Sequence, residues 1–182
     1  MPDIDPKIIE DCQKGDSFSF EKLYLTYQHS IYNLAYRMCG EHHEAEDLSS
    51  DIFLALFTKI KKFKFKSHFS AWFYKLATNL CLDRIRRKKK FSFQSLDEVK
   101  EQTLTQQGFP CDFDPAREDL ERSVQSALNS LPSKQRMCVI LRDIEGFSYR
   151  RISESLGISE GTVRSRLSRA RERMRRELAS EK

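Results

Sequence analysis

Phe147-Ser148-Tyr149-Arg150-Arg151-Ile152-Ser153-Glu154-Ser155-Leu156-Gly157-Ile158-Ser159-Glu160-Gly161-Thr162-Val163-Arg164-Ser165-Arg166-Leu167-Ser168-Arg169-Ala170-Arg171 reads as two short helices joined by a tight turn, the second rich in arginine. Ser148 can cap the first helix, whose apolar contacts are Ile152 and Leu156, and Gly157 supplies the left-handed residue that ends it. Ser159 caps the second. Val163, Leu167, Ala170, Met174 and Leu178 then recur at steps of three and four, giving that helix one buried side. Its other faces carry Arg164, Arg166, Arg169, Arg171, Arg173, Arg175 and Arg176. This is the layout of a helix-turn-helix, whose second helix enters the DNA major groove while its cations meet phosphates and base edges. The stretch predicts DNA binding.

Charge elsewhere agrees with a polyanionic partner for only part of the chain. The 182 residues carry a net charge of +5, with 39% apolar and 32% charged residues, which fits one domain or two small helical ones. From Phe147 onward ten Arg or Lys face five Glu, whereas Asp97 to Glu121 holds eight acids and two bases. Basic and acidic blocks are segregated. The five cysteines (Cys12, Cys39, Cys81, Cys111, Cys138) are dispersed without a CxxC pair, which fits a reducing cytoplasm rather than a disulfide framework. No run reaches the length of a membrane span, and the acidic N-terminus lacks a signal-peptide core. A soluble cytoplasmic protein is expected.

Upstream of that stretch the helical period of the apolar residues continues. Phe20, Leu23, Tyr24, Tyr27, Ile31, Leu34, Ala35 and Met38 keep one stripe, interrupted at Gly40; Ala45, Leu48, Ile52, Ala55, Leu56 and Ile60 keep a second. A basic, aromatic segment from Lys61 to His68 leads into a third helix carrying Phe69, Trp72, Phe73, Leu76 and Leu80, which ends in Arg84-Ile85-Arg86-Arg87-Lys88-Lys89-Lys90. From about Gln94 to Arg117 the pattern fails, with Gly108-Phe109-Pro110 and Asp114-Pro115 as breakers. Periodicity resumes at Leu120, stops at Pro132 and restarts after Ser133, closing at Glu145-Gly146. The expected fold is all-α: a helical bundle over 1–93, a flexible acidic linker over 94–117, and a helix-turn-helix domain over 118–182.

Three blocks in order make the chain resemble a bacterial RNA polymerase sigma factor of the sigma-70 family, of the short extracytoplasmic-function (ECF) type. They are Ala45-Glu46-Asp47-Leu48 with Asp51-Ile52-Phe53; Phe69 to Asn79 with Asp83-Arg84-Ile85-Arg86-Arg87; and Leu131-Pro132 through Tyr149 with Gly161 to Arg166. The resemblance implies a transcription initiation factor that binds core polymerase, directs it to promoters and assists melting, with no catalysis, cofactor or metal of its own. Its implied partners are the β′ clamp helices and β flap of core polymerase, duplex promoter DNA, the melted non-template strand and an anti-sigma factor.

Site residues follow from that resemblance. The acidic face of Glu46, Asp47, Ser50 and Asp51, with Phe53, is the expected polymerase surface; such a face suits a basic protein partner and would be repelled by DNA. Phe63, Lys64, Phe65, Lys66, Ser67 and Asn79 are the expected readers of a flipped base in the downstream element, since aromatics stack on bases and cations meet the backbone. Many family members have a glycine and an acid where this chain has Phe65 and Lys66, so its base preference would differ. For both Phe63 and Phe65 the alternative is core packing. Arg84, Arg86, Arg87 and Lys88 are expected on duplex backbone. In the upstream element Arg164, Ser165, Ser168 and Arg169 would face base edges, while Arg166, Tyr149 and Arg150 would hold phosphates. Cys39, His42 and His43 lack a second cluster to complete a metal site. A stand-alone helix-turn-helix regulator is the alternative function.

Overall fold

The computed structural model describes residues 4–65, 68–94 and 115–180, all of it helices and short connections. The helices are α1 (Pro6–Lys14), α2 (Ser17–Cys39), α3 (His42–Lys59), α4 (Phe69–Gln94), α5 (Pro115–Asn129), α6 (Ser133–Val139), α7 (Tyr149–Leu156) and α8 (Glu160–Ser180). Most of the acidic linker lies outside the described residues. Among those described, no helix is long and apolar enough to cross a membrane.

Local chemistry sets the helix ends. Asp16 accepts a hydrogen bond from the Ser19 amide at 2.7 Å to start α2, and Glu41 accepts from the His43 and Glu44 amides to start α3. α2 packs along α3, and α4 closes over both. Their stripes form the core: Leu23, Tyr27, Ile31, Leu34 and Met38 of α2 meet Leu48, Ile52 and Leu56 of α3, with Phe73, Tyr74 and Ala77 of α4. Each fully buried Leu or Ile contributes about 1.5–3 kcal/mol. α1, which the sequence periodicity did not single out, lies on α2 and on the 3-10 turn Ile60–Lys62.

The last four helices pack through α6 and α8, with α5 and α7 at their sides. The predicted single helix from Ser133 to Ile144 changes character at Ile140, where a widened π turn runs over Ile140–Ile144. There the Glu145 amide bonds to the Ile140 carbonyl at 2.9 Å, and Arg142 Nη1 donates to the Phe147 carbonyl at 2.7 Å. This turn sets the approach of the chain to α7. The two groups of helices also touch: α4 lies against α6 and α7, α2 against α5 and α6, and one apolar cluster runs through both.

Candidate nucleic-acid interface

The helix-turn-helix forms as its sequence dictates. Ser148 Oγ accepts from the Arg151 amide at 3.2 Å, Gly157 sits at φ 63°, and Ser159 Oγ accepts from the Thr162 amide at 3.2 Å. A side chain at Gly157 would have to adopt that left-handed conformation at a steric cost. Ser153 Oγ donates to the Ile158 carbonyl at 2.6 Å and closes the turn. Val163, Leu167 and Ala170 are buried, which fixes the rotation of α8 and leaves Arg164, Ser165, Ser168 and Arg169 exposed together. Among the described residues no ion pair engages Arg164 or Arg169.

The other basic residues of this unit are more committed. Arg166 is half-buried against the Cys138 thiol. Tyr149 is also half-buried, with the Arg142 guanidinium 5.2 Å from its ring centre. Arg150 is exposed and pairs with Glu154 at 3.1 Å. Arg171 donates from Nε to Asp143 at 3.1 Å, and Arg176 pairs with Glu172. The base-facing set of the sequence reading is thus brought together on one face. Arg166 and Tyr149, expected on phosphates, are half-buried against neighbouring side chains of the unit.

In the first unit the expected loop is split between core and surface. Phe63 is only 4% exposed, packed at 5.3 Å from both Phe69 and Trp72, so it supports the loop and offers no free face to a base. Its assignment as a stacking residue is corrected: burying the ring in an apolar cluster outweighs leaving it in water. Phe65 is 49% exposed and touches Phe63 edge-on at 5.1 Å, which makes it the available platform, with exposed Lys64 beside it. Lys66 and Ser67 lie outside the described residues. Gln13 of α1 donates to the carbonyls of Ile60 and Phe63, both at 2.9 Å, and so anchors the loop. Nothing in the local sequence marks Gln13, because its partners are backbone atoms about fifty residues away.

Asn79 is exposed on α4, upstream of the basic tail. Within that tail Arg84 pairs with Asp51 at 2.9 Å, Lys88 with Glu44 at 2.6 Å and Arg86 with Asp83 at 2.9 Å. Arg87, Lys89 and Lys90 are exposed beyond them. Such exposed pairs contribute about 0–1 kcal/mol and yield readily to a phosphate.

Glu46, Asp47, Ser50 and Asp51 form one exposed strip on α3. Phe53 does not join it: at 7% exposure it is wedged between Tyr24 and Phe73, so its assignment to a partner surface is corrected. The strip continues instead into Leu54 and Phe57, 64% and 59% exposed. Both fall off the apolar stripe of α3, and that was the available signal. No cluster that could hold a metal occurs among the described residues; His42 accepts or donates at 2.8 Å with the Tyr32 hydroxyl and stacks on Tyr36.

A helix-turn-helix with an exposed arginine face, a second cationic helix beside an aromatic loop, and an acidic-apolar strip are the surface features that the fold assembles. The family Sigma-70 region 2 matches residues 23–91, and Sigma-70, region 4 matches residues 121–174. The ECF RNA polymerase sigma factor SigW of Bacillus subtilis (strain 168) is 35% identical over 179 residues, covering 94% of this chain and 95% of that protein. The ECF RNA polymerase sigma factor SigE of Mycolicibacterium smegmatis is 36% identical over 162 residues, 88% of this chain and 62% of that one. Among solved structures, the sigma factor RpoE from Bartonella quintana, in complex with the anti-sigma factor NepR, aligns at a TM-score of 0.72 and 26% identity. That alignment covers 90% of this chain and 98% of RpoE. CnrH, in complex with the cytosolic domain of CnrY, shares the fold at a TM-score of 0.72 and 21% identity over 96% of this chain and 97% of its own. The chain belongs to the sigma-70 family. Within it, the chain is a member of the ECF sigma factors.

Proposed function

We propose that the chain is the promoter-specifying subunit of bacterial RNA polymerase, with region 2 in residues 1–93 and region 4 in 118–182 acting as two DNA-reading units. The carrying observation is the exposure of two separate cationic reading surfaces, on α4 and α8, beside the non-cationic strip of α3. Arg164, Ser165, Ser168 and Arg169 read the upstream element, and Arg150 holds its backbone. Phe65, Lys64 and Asn79 take the unstacked base of the downstream element, while Arg84, Arg86, Arg87 and Lys88 lie on duplex phosphates. Glu46, Asp47, Ser50 and Asp51, extended by Leu54 and Phe57, dock on core polymerase. Two weak DNA contacts held at a fixed separation by polymerase give specificity by multivalency. Bond formation is left to the polymerase.

RpoE crystallised with an anti-sigma factor, and we infer control of the same kind here, by a protein that covers these surfaces. The deciding experiment is run-off transcription with bacterial core polymerase on genomic DNA. Discrete transcripts that need this protein are expected. Their absence, with the core enzyme active on tailed templates, would turn the reading to a stand-alone DNA-binding regulator.

A further inference from the structure

Gln13 of α1 spends its side chain on a part of the chain that its own helix does not contain. Its Nε2 donates to the Ile60 carbonyl and to the Phe63 carbonyl, each at 2.9 Å, which uses both amide protons. The first carbonyl opens the 3-10 turn Ile60–Lys62, at the end of α3, where helical partners for carbonyls run out. It also accepts from the Phe63 amide at 3.0 Å. The second carbonyl belongs to the peptide that joins Phe63 to Lys64, at the entry of the basic loop. Gln13 is half-buried, and α1 is seated on the core by Ile9 and Cys12, 2% and 5% exposed. Just past α1 the Asp16 amide donates to the Asp11 carbonyl at 3.0 Å while its carboxylate accepts from the Ser19 amide, which fixes the corner between α1 and α2.

Phe63 is thereby held at two points. Its ring is buried 5.3 Å from Phe69 and from Trp72, and its carbonyl is tied to Gln13. A buried ring alone leaves the peptide that follows it free to turn. With the carbonyl tied as well, the direction in which the chain leaves toward Lys64 and Phe65 is set. Phe65 lies two residues on, edge-on to Phe63 at 5.1 Å and half-exposed. Stacking on such a ring tolerates any sequence, because every base has an aromatic face. Choice among bases depends instead on where the ring and its polar neighbours sit, to within about 0.5 Å of the productive geometry.

We propose that Gln13 is a positioning residue for the downstream reader. From α1 it seats the loop that presents Lys64 and Phe65, and so it helps to determine which unstacked base this chain prefers. It acts through the Phe63 carbonyl and touches no base itself. α1 then serves as a strut between the core and the reading loop. The seating of the loop stands on the hydrogen bonds alone, whereas its consequence for base choice rests on the promoter-factor reading. Both bonds need an amide of this length. Methionine at position 13 keeps the bulk and removes the donor, and asparagine keeps the amide but draws it back by one methylene, about 1.5 Å.

Trp72, the one tryptophan of the chain, packs on Phe63 and reports the seating. In the free full chain, Gln13→Met and Gln13→Asn should each raise acrylamide quenching of its fluorescence at least two-fold, at unchanged helical circular dichroism. Quenching equal to the wild type would overturn the seating. Should Gln13→Met lose helix content, Gln13→Asn carries the comparison, and loss of helix in both would assign Gln13 to the fold and overturn the proposal. Each variant is then reconstituted with bacterial core polymerase on a promoter library randomised at both elements, and the transcripts are sequenced. The ratio of the preferred to the next base at one downstream position should fall at least three-fold, with preferences at the upstream element, read by α8, unchanged. Lower output with all ratios kept would overturn the role in base choice. A wild type that drives no transcription from any sequence would defeat the promoter-factor reading and base choice with it, while Trp72 still judges the seating.

Discussion

Arg164 and Arg166 stand two positions apart on α8 and meet opposite fates. Two residues on a helix turn through about 200°, so when Val163 and Leu167 face inward Arg164 is left in water and Arg166 is drawn toward Cys138. Composition alone treats the two arginines as equals. Arg164→Ala is expected to weaken binding to the upstream element by about 1–3 kcal/mol and to relax preference at one base pair, read by a binding assay over single-base variants of the site. Loss spread evenly over all sequences would instead assign Arg164 to a phosphate. Phe63 and Phe65 show the same limit. Both are aromatic residues of one basic loop, and only the packing of Trp72 and Phe69 decides that the first is buried and the second is exposed.

At the scale of elements, α3 is the instructive case. Its buried stripe was legible from Ala45, Leu48, Ile52 and Leu56, because a helix that covers a core must repeat its apolar residues at three and four. Its outward face was legible only as acids. The structure adds that Asp51 and Glu44 are engaged by Arg84 and Lys88 of α4, and that Leu54 and Phe57 extend the strip as apolar surface. Phe57 rests edge-on against Phe20 of α2 at 5.2 Å, yet it and Leu54 stay more than half exposed, and exposed apolar surface of this kind fits a docking site. The double variant Leu54→Ser with Phe57→Ser should reduce affinity for core polymerase at least ten-fold, measured by fluorescence anisotropy, with helical content unchanged. DNA binding by the upstream reader should stay as it was, and a parallel loss of DNA binding would count against a separate polymerase surface. α1 escaped the sequence reading because its nine residues bury only Ile9 and Cys12, too few to mark a period.

For the whole molecule, the thiols couple the fold to pH. Burial pushes the Cys12 thiol up to about 11, with Asp16 and Asp11 adding to the shift, and burial likewise pushes Cys39 up to about 11, with Glu44 adding to it. The ordinary value is 9.0. A group raised on folding stabilises the native state fully below its unfolded value and loses that contribution as the pH climbs through the folded one. Urea midpoints should therefore fall between pH 9 and 11, and fall less steeply in Cys12→Ala. Equal slopes for variant and wild type would show that this thiol does not control the decline. Below pH 8 both thiols should resist alkylation until the chain unfolds, because little thiolate is present.

The sequence by itself determined the helices, the turn at Gly157 and the cationic face of α8, because caps, left-handed glycine and apolar period act within a few residues. It also carried the three blocks by which the family was recognised. Only the tertiary structure decided which aromatics are free, which cations are spent on Asp51, Glu44 and Asp143, and how the two units meet through Tyr74 and Glu145. Those outcomes depend on partners far apart in the chain. The free energy of such a contact belongs to the pair brought together, and no local pattern records it.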